Sequence, residues 1–124
     1  MTADLITKSD RLVTELNKMR IDLQSHHDKL RQLTSQNSEN EAVRTEFEKL
    51  EEDGHIWKLT GPLMVRQDKE EAKANVDKRL EFITSELTKV EEAIKRCEED
   101  FEKKRQELIT VQTEFQRSSA VAAK

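Results

Sequence analysis

The chain has 124 residues, of which 34% are hydrophobic, 39% are charged and only 4% are aromatic. This apolar content is too low for a compact globular core, and it is typical either of a disordered chain or of long helices paired in a coiled coil. The 22 basic and 26 acidic residues are mixed along the chain and give a net charge of −4, so no basic stripe for binding nucleic acid is predicted.

The sequence also argues against a membrane or extracellular protein. No run approaches the roughly 20 apolar residues that span a bilayer, and the N-terminus lacks a basic segment followed by an apolar one. The single cysteine, Cys97, excludes an intrachain disulfide framework. We expect a protein of a reducing compartment, and these features do not separate the cytosol from the nucleus.

A coiled-coil repeat predicts one long helix over residues 1–53. Apolar residues recur at alternating spacings of four and three, as in the seam between two paired helices. The seam positions are Leu5, Ser9, Leu12, Leu16, Met19, Leu23, His26, Leu30, Leu33, Asn37, Asn40, Arg44 and Phe47. The polar segment 35–40 contains no Gly or Pro, so we expect the helix to continue through it, with its asparagines in a polar layer between the helices. The alternative is a break, after which Ser38 and Glu41 form a capping box that restarts the helix.

A β-hairpin is predicted over residues 54–67, where the helical pattern stops. This stretch holds both glycines, the only Pro and the only Trp, and Thr60-Gly61-Pro62 separates two short runs with β-branched and aromatic members. Apolar side chains fall on both faces of the hairpin and comprise Ile56, Trp57, Leu59, Leu63, Met64 and Val65. Because an isolated hairpin is only marginally stable in water, we expect it to be covered or extended by partners that the chain itself lacks.

A second repeat predicts a helix over residues 68–117, which begins at a D-x-x-E start signal formed by Asp68 and Glu71. Its seam positions are Val76, Leu80, Ile83, Leu87, Val90, Ile94, Cys97, Phe101, Lys104, Leu108, Val111 and Phe115. Residues 118–124 lose the repeat, and we expect a flexible C-terminal tail there. Two helices of matched length, each about 70 Å long, that are joined by a compact hairpin must run antiparallel, with both termini at one tip.

No arrangement of side chains predicts catalysis, a cofactor or a metal. The helical neighbours His26 and His27 point about 100° apart, so they cannot jointly hold one ion. Cys97 takes a seam position, where a thiol behaves as a small hydrophobe. Carboxylate pairs need a partly desolvated cleft to act as acid and base, which a two-helix seam does not provide. With no glycine-rich phosphate loop either, we expect a protein that is not an enzyme.

The helix ends carry more apolar residues than a two-helix seam can bury. These residues, called the tip residues below, are Leu5, Ile6, Val13, Ile109, Phe115 and Val121. Exposed apolar patches often mark binding surfaces, so we interpret the tip as a candidate binding surface; the alternative is that it combines seam residues with ordinary surface hydrophobes. We expect burial in the seam or the hairpin to account for most of the aromatic residues, which are Phe47, Trp57, Phe82, Phe101 and Phe115.

The segment Lys58-Leu59-Thr60-Gly61-Pro62-Leu63-Met64-Val65, set between two helical repeats, resembles the β-type subunits of the prefoldin family. The most specific part of this resemblance runs from Ile56 to about Ile83, and it includes Ala72, Val76, Lys78, Arg79 and Leu80. The resemblance implies a mostly α fold, a long antiparallel two-helix coiled coil whose central hairpin pairs with partner subunits in a β-barrel platform. It implies a heterohexamer, in which the partners of this chain are two α-type and three further β-type subunits.

The resemblance also implies a function. Prefoldins are ATP-independent cytoplasmic co-chaperones that hold non-native actin and tubulin at the tips of their coiled coils and pass them to the cytosolic group II chaperonin. By this analogy the apolar hairpin residues would carry assembly, and the tip residues would contact clients. The competing hypothesis is a structural or scaffolding coiled-coil subunit without client binding, and an enzyme is a distant third. The mass of the native complex and the identity of its other chains would be the most informative observation.

Overall fold

The computed structural model describes residues 2–50 and 54–123. Along the chain it has helix α1 (Thr2–Lys49), strand β1 (Ile56–Thr60), strand β2 (Leu63–Gln67) and helix α2 (Lys69–Ala123). Two long helices joined by an antiparallel two-stranded hairpin are the architecture that the sequence predicts. In the described part of the chain, neither helix has a stretch long and apolar enough to cross a membrane.

Helix α1 runs without a break through the polar segment 35–40. No Gly or Pro interrupts it, and local side-chain bonds occupy the polar groups that would compete with the helix. Asn40 Nδ2 donates to the Gln36 carbonyl oxygen at 2.7 Å, and Asn37 Nδ2 donates to Glu41 Oε1 at 3.2 Å. Both asparagines are partly buried at their seam positions, but these bonds lie within α1 rather than across to α2.

The hairpin turn is shorter than the sequence suggests. Thr60 pairs with Leu63, so the turn contains only Gly61 and Pro62, and each strand gains one residue over the predicted runs. Gly61 has a φ of +60°, and a positive φ at the first of two central residues is the pattern of a type II′ turn. A Cβ at Gly61 would meet nothing within 4 Å, so backbone conformation, rather than lack of space, is the reason for glycine here.

Helix α2 begins at Lys69, one residue after the start signal at Asp68. The Asp68 carbonyl oxygen accepts the first helical bond, from the Ala72 N–H at 2.9 Å, and Lys69 Nζ donates to the Leu50 carbonyl oxygen at 3.2 Å. A cation at the C-terminal end of α1 is favourable, because unpaired carbonyls give that end a partial negative charge. The first residue of α2 therefore helps to hold the end of α1.

The C-terminal end of α2 differs from the sequence expectation. A flexible tail is predicted over residues 118–124, but the helix continues to Ala123, and Lys124 lies outside the described residues. Alanine is the best helix former, and neither Gly nor Pro follows Phe115. Loss of the apolar repeat therefore removes the packing partner of this segment without ending the helix. The predicted first-helix segment reaches residue 53, whereas α1 ends at Lys49 and residues 51–53 lie outside the described part.

The chain divides into two compact units, each built from antiparallel segments of both helices. One unit combines α1 up to Asp28 with α2 from Glu91 onward, and the other spans Lys29–Val90 and includes the hairpin. The buried core residues of the first unit are Leu12, Leu16, Ile94 and Val111. Those of the second are Leu33, Ala72, Val76, Ile83 and Val90. All of them except Ala72 are predicted seam positions.

Each unit has an ion pair that joins the two antiparallel helices. In the first unit Lys104 Nζ lies 3.1 Å from Glu15 Oε2, which explains the one charged residue in the second repeat. That oxygen is buried and has no donor in hydrogen-bonding geometry, so the ammonium balances its charge without a directed bond. In the second unit Arg44 Nε lies 3.2 Å from Asp77 Oδ1, and the Arg44 side chain leaves the seam for the exposed surface.

Candidate functional site: the hairpin and the helix ends

The hairpin exposes large apolar side chains on both faces. Its register pairs Leu59 with Met64 and Lys58 with Val65, and directly opposed residues share a face. One face therefore carries Trp57, Leu59 and Met64, and the other carries Ile56, Leu63 and Val65. Five of these six side chains are between 49% and 67% exposed, and the sixth, Ile56, is partly buried.

The base of the hairpin is braced by a polar contact. Arg66 Nη2 lies 2.7 Å from His55 Nδ1. A guanidinium can only donate, so the imidazole nitrogen accepts, and the His55 proton belongs on Nε2. Both side chains are exposed, so this bond orients the strand ends and adds little stability. The hairpin that carries the apolar patch is therefore held mainly by the backbone hydrogen bonds between its strands and by its tight turn.

The tip residues all lie in the first unit, and the structure brings only some of them together. Leu5, Ile6 and Phe115 line one groove between the two helices, together with Ser9, Val111 and Gln112. Val13 and Ile109 lie outside that groove and are 41% and 42% exposed. Val121, on the helical segment predicted to be a tail, is 70% exposed. The predicted excess of apolar surface is present, as a groove with separate exposed residues rather than as a single patch.

Cys97 lies in the seam of the first unit, opposite α1. Its Sγ donates weakly to the Met19 carbonyl oxygen at 3.7 Å, and burial raises its pKa, with the charges of Asp22, Asp100 and Glu98 adding in the same direction. A raised pKa lowers the fraction of thiolate, the form that a nucleophile or a metal ligand needs. Among the described residues no cluster of His, Cys, Asp and Glu could hold a metal ion.

One strongly shifted carboxylate lies on the surface of α2. Hydrogen bonds from Arg105, at 2.7 and 2.9 Å, and from Gln106, at 3.1 Å, lower the pKa of Glu102 from 4.5 to about 2. All three partners sit within four residues of one another on one helix. This is a local helix-stabilising contact of the i, i+3 and i, i+4 type, and it forms no cleft for acid–base chemistry.

Sequence reasoning missed one exposed aromatic residue. The sequence predicts burial for most of the aromatic residues, but Phe82 is 65% exposed. The repeat itself carried the signal, because Ile83 holds the seam position and a residue one place earlier on a helix points about 100° away. Phe82 therefore lies outside the seam, as do the exposed residues Ile21 and Val43.

The fold and its apolar surfaces define a class of protein. The helices pair through a narrow seam, and the hairpin exposes the apolar side chains that normally fill a core. This is the arrangement of a subunit that is completed by other chains. Comparison with known proteins gives the family.

Residues 10–115 match the family described as "Prefoldin subunit", and the chain belongs to the prefoldin family. It is 36% identical over 121 residues to "Prefoldin subunit 6" of Arabidopsis thaliana, which covers 98% of this chain and 94% of that protein. It is 34% identical to "Prefoldin subunit 6" of Homo sapiens over 122 residues, 98% of this chain and 95% of the human one. The Saccharomyces cerevisiae subunit of that name is 48% identical over 77 residues, 62% of this chain and 68% of the yeast one.

A solved structure agrees at the level of the fold. The prefoldin beta subunit from Thermococcus strain KS-1 superposes with a TM-score of 0.76 at 20% sequence identity, covering 82% of this chain and 90% of the other. The resemblance that the hairpin and the flanking repeats indicated is confirmed. Prefoldin subunits are chaperone subunits that act in a complex with other prefoldin subunits, and this chain is one of that class.

Proposed function

We infer that this chain joins two α-type and three further β-type subunits in a cytoplasmic heterohexamer, which binds unfolded actin and tubulin without ATP and delivers them to the cytosolic chaperonin. The observation that carries this proposal is the apolar hairpin. Five large side chains, Trp57, Leu59, Leu63, Met64 and Val65, are about half exposed or more. Soluble proteins rarely leave such a patch uncovered, and partner strands would cover it and remove the free strand edges.

The client-binding part of the proposal is supported by the tip residues. Burying one such side chain against a client contributes about 1.5 to 3 kcal/mol at most, before the cost of ordering the chain. A single tip would therefore bind weakly. Six arms acting on one unfolded chain would bind usefully, because each contact raises the effective concentration of the next. Contacts of this kind need no fixed geometry, which suits clients without a folded surface.

Client binding is tested by changing the tip while leaving assembly intact. Removing residues 1–8 together with 116–124 deletes Leu5, Ile6 and Val121 from the tip and leaves the hairpin and most of the seam unchanged. We expect the hexamer to form normally and to suppress aggregation of denatured actin less well than the full-length complex. The loss should be partial, because the other five subunits keep their own tips.

A matched pair of point variants separates the tip from general surface hydrophobicity. Ile6→Asn changes an exposed tip residue of α1, and Ile21→Asn makes the same change at a residue of α1 that is 70% exposed and outside the tip. We expect only Ile6→Asn to weaken protection of the client. If the truncated complex and the Ile6→Asn complex protected every tested client as well as the unmodified one, the scaffolding hypothesis would replace client binding for this subunit.

A further inference from the structure

Phe82 lies in a depression that the proposed function does not use. The depression lies between the two helices in the unit Lys29–Val90, and Gln36 and Asn40 of α1 form its other wall. On α2, Lys78 and Arg79 precede Phe82 by four and three residues, so the three side chains share one helix face. An exposed aromatic ring one helical turn from two cations could contact both the apolar and the acidic side chains of a partner.

This depression continues to the hairpin. Arg79 also lines a second depression, which lies between the helix ends and β1 and is bounded by Val43, Trp57, Lys58 and Leu59. The two depressions share the Arg79 side chain and together form one surface, which we call the basic groove. Trp57 and Leu59 therefore take part both in the exposed hairpin patch and in the wall of this groove.

The charged side chains that line the basic groove are all positive. Its described lining residues include the cations Lys58, Lys78 and Arg79 and no carboxylate, although the whole chain carries more acidic than basic residues. Two nearby carboxylates of α2 face other cations: Asp77 pairs with Arg44 at 3.2 Å, and Glu86 lies within 4 Å of two lysines. The groove therefore combines an exposed aromatic ring with positive charge that the described lining does not neutralise.

We propose that the basic groove binds an acidic segment of a neighbouring subunit in the prefoldin complex, with an apolar side chain of that segment against Phe82 and its carboxylates facing Lys78 and Arg79. An acidic partner segment is favoured because its charge would be complementary to the cations of the groove. A neighbouring subunit is favoured as the chain that supplies this segment, because a subunit that covers Trp57 and Leu59 would already border the groove. The proposal rests on the proposed assembly through the hairpin and extends that interface onto α2.

Site-specific photo-crosslinking identifies the occupant. A photoreactive phenylalanine analogue replaces Phe82 in the complex reconstituted from all six subunits, and a second preparation carries the analogue at Ile21, which is also exposed but lies outside the groove. We expect Phe82 to crosslink to one neighbouring subunit, at a peptide with at least two carboxylates near the crosslinked residue. The Ile21 position should give no such product.

The outcomes separate this proposal from the proposed function. If the chain joins the complex but Phe82 crosslinks no neighbour, crosslinks only added client, or reaches a segment without carboxylates, the groove assignment is wrong while assembly through the hairpin stands. If the chain does not join the other subunits at all, the proposed function and the groove assignment both fail.

Charge reversal provides a second test with a close control. Helix α2 carries two exposed Lys-Arg dipeptides, Lys78-Arg79 in the groove and Lys95-Arg96 outside it. Changing Lys78 and Arg79 to Glu should speed release of the labelled subunit from the complex by about tenfold, since loss of a charge pair that the interface buries acts mainly on dissociation. The same change at Lys95 and Arg96 should alter the rate by less than about twofold, as expected for exposed charges. Equal rates for the two double variants would overturn the proposal.

Discussion

At the scale of single residues, Lys104 and Cys97 show how the seam accommodates side chains that are not aliphatic. Lys104 has a hydrophobic position in the repeat, but its ammonium reaches Glu15 on the other helix at 3.1 Å. Cys97 takes a seam position as a small apolar group, and its neighbours Asp22, Asp100 and Glu98 surround it with negative charge. Both residues interrupt a run of apolar side chains, and neither forms a reactive site.

Cys97 should react slowly with a bulky alkylating reagent in the folded protein and quickly after unfolding. Burial and nearby carboxylates raise its pKa, so near neutral pH it is more fully protonated than a free thiol, and only the thiolate attacks. A control protein with Ser85→Cys in a Cys97→Ser background places a thiol on the exposed face of α2 and should react quickly. Labelling followed by intact-mass measurement gives both rates; equally fast labelling of native Cys97 would show that the seam register is wrong.

At the scale of the elements, helix pairing depends on a narrow line of buried side chains. Leu12 is fully buried, at 0% exposed, so its contribution to the stability of the first unit comes from apolar burial. Replacing Leu12 by Ala should therefore destabilise that unit by about 2 to 5 kcal/mol, the range for removing a buried leucine side chain.

Hydrogen–deuterium exchange locates this loss. In Leu12→Ala we expect faster exchange in the peptides around residue 12 of α1 and in the segment of α2 that packs against it. Ile21→Ala, which removes apolar atoms from a side chain that is 70% exposed, should change exchange by amounts equivalent to less than about 0.5 kcal/mol. Similar effects from the two substitutions would show that Leu12 is not part of a buried seam.

The same elements show how far the sequence predicts the fold. The structure agrees with the second repeat, since all its seam positions from Val76 to Phe115 are buried or partly buried. Period alone did not fix local details: the hairpin turn takes two residues because Gly61 adopts a positive φ, and α2 extends to Ala123 because alanine favours helix without a packing partner. A heptad pattern indicates which residues face the partner helix, but it does not indicate which outer residues lie close together. The basic groove and the division of the tip residues were therefore not predicted.

At the scale of the whole molecule, the hairpin is the element that this chain cannot complete alone. The helices bury their seams within each unit, whereas the hairpin leaves Trp57, Leu59, Leu63, Met64 and Val65 exposed. Trp57 and Val65 lie on opposite faces of the two-stranded sheet, so the proposed assembly requires partner strands or side chains on both faces. The central claim is therefore that the hairpin, rather than the helices, joins this chain to the other prefoldin subunits.

Native mass spectrometry of the complex purified with Trp57→Asp or Val65→Asp tests this claim most directly, with Ile21→Asp as the control for a charge placed on an exposed apolar residue. We predict a hexamer containing the unmodified chain or Ile21→Asp. We also predict that both hairpin variants are missing from the complex, while the circular dichroism of each variant chain keeps its helical signal. Recovery of both hairpin variants in the hexamer at the level of the unmodified chain would contradict the role of the hairpin in assembly.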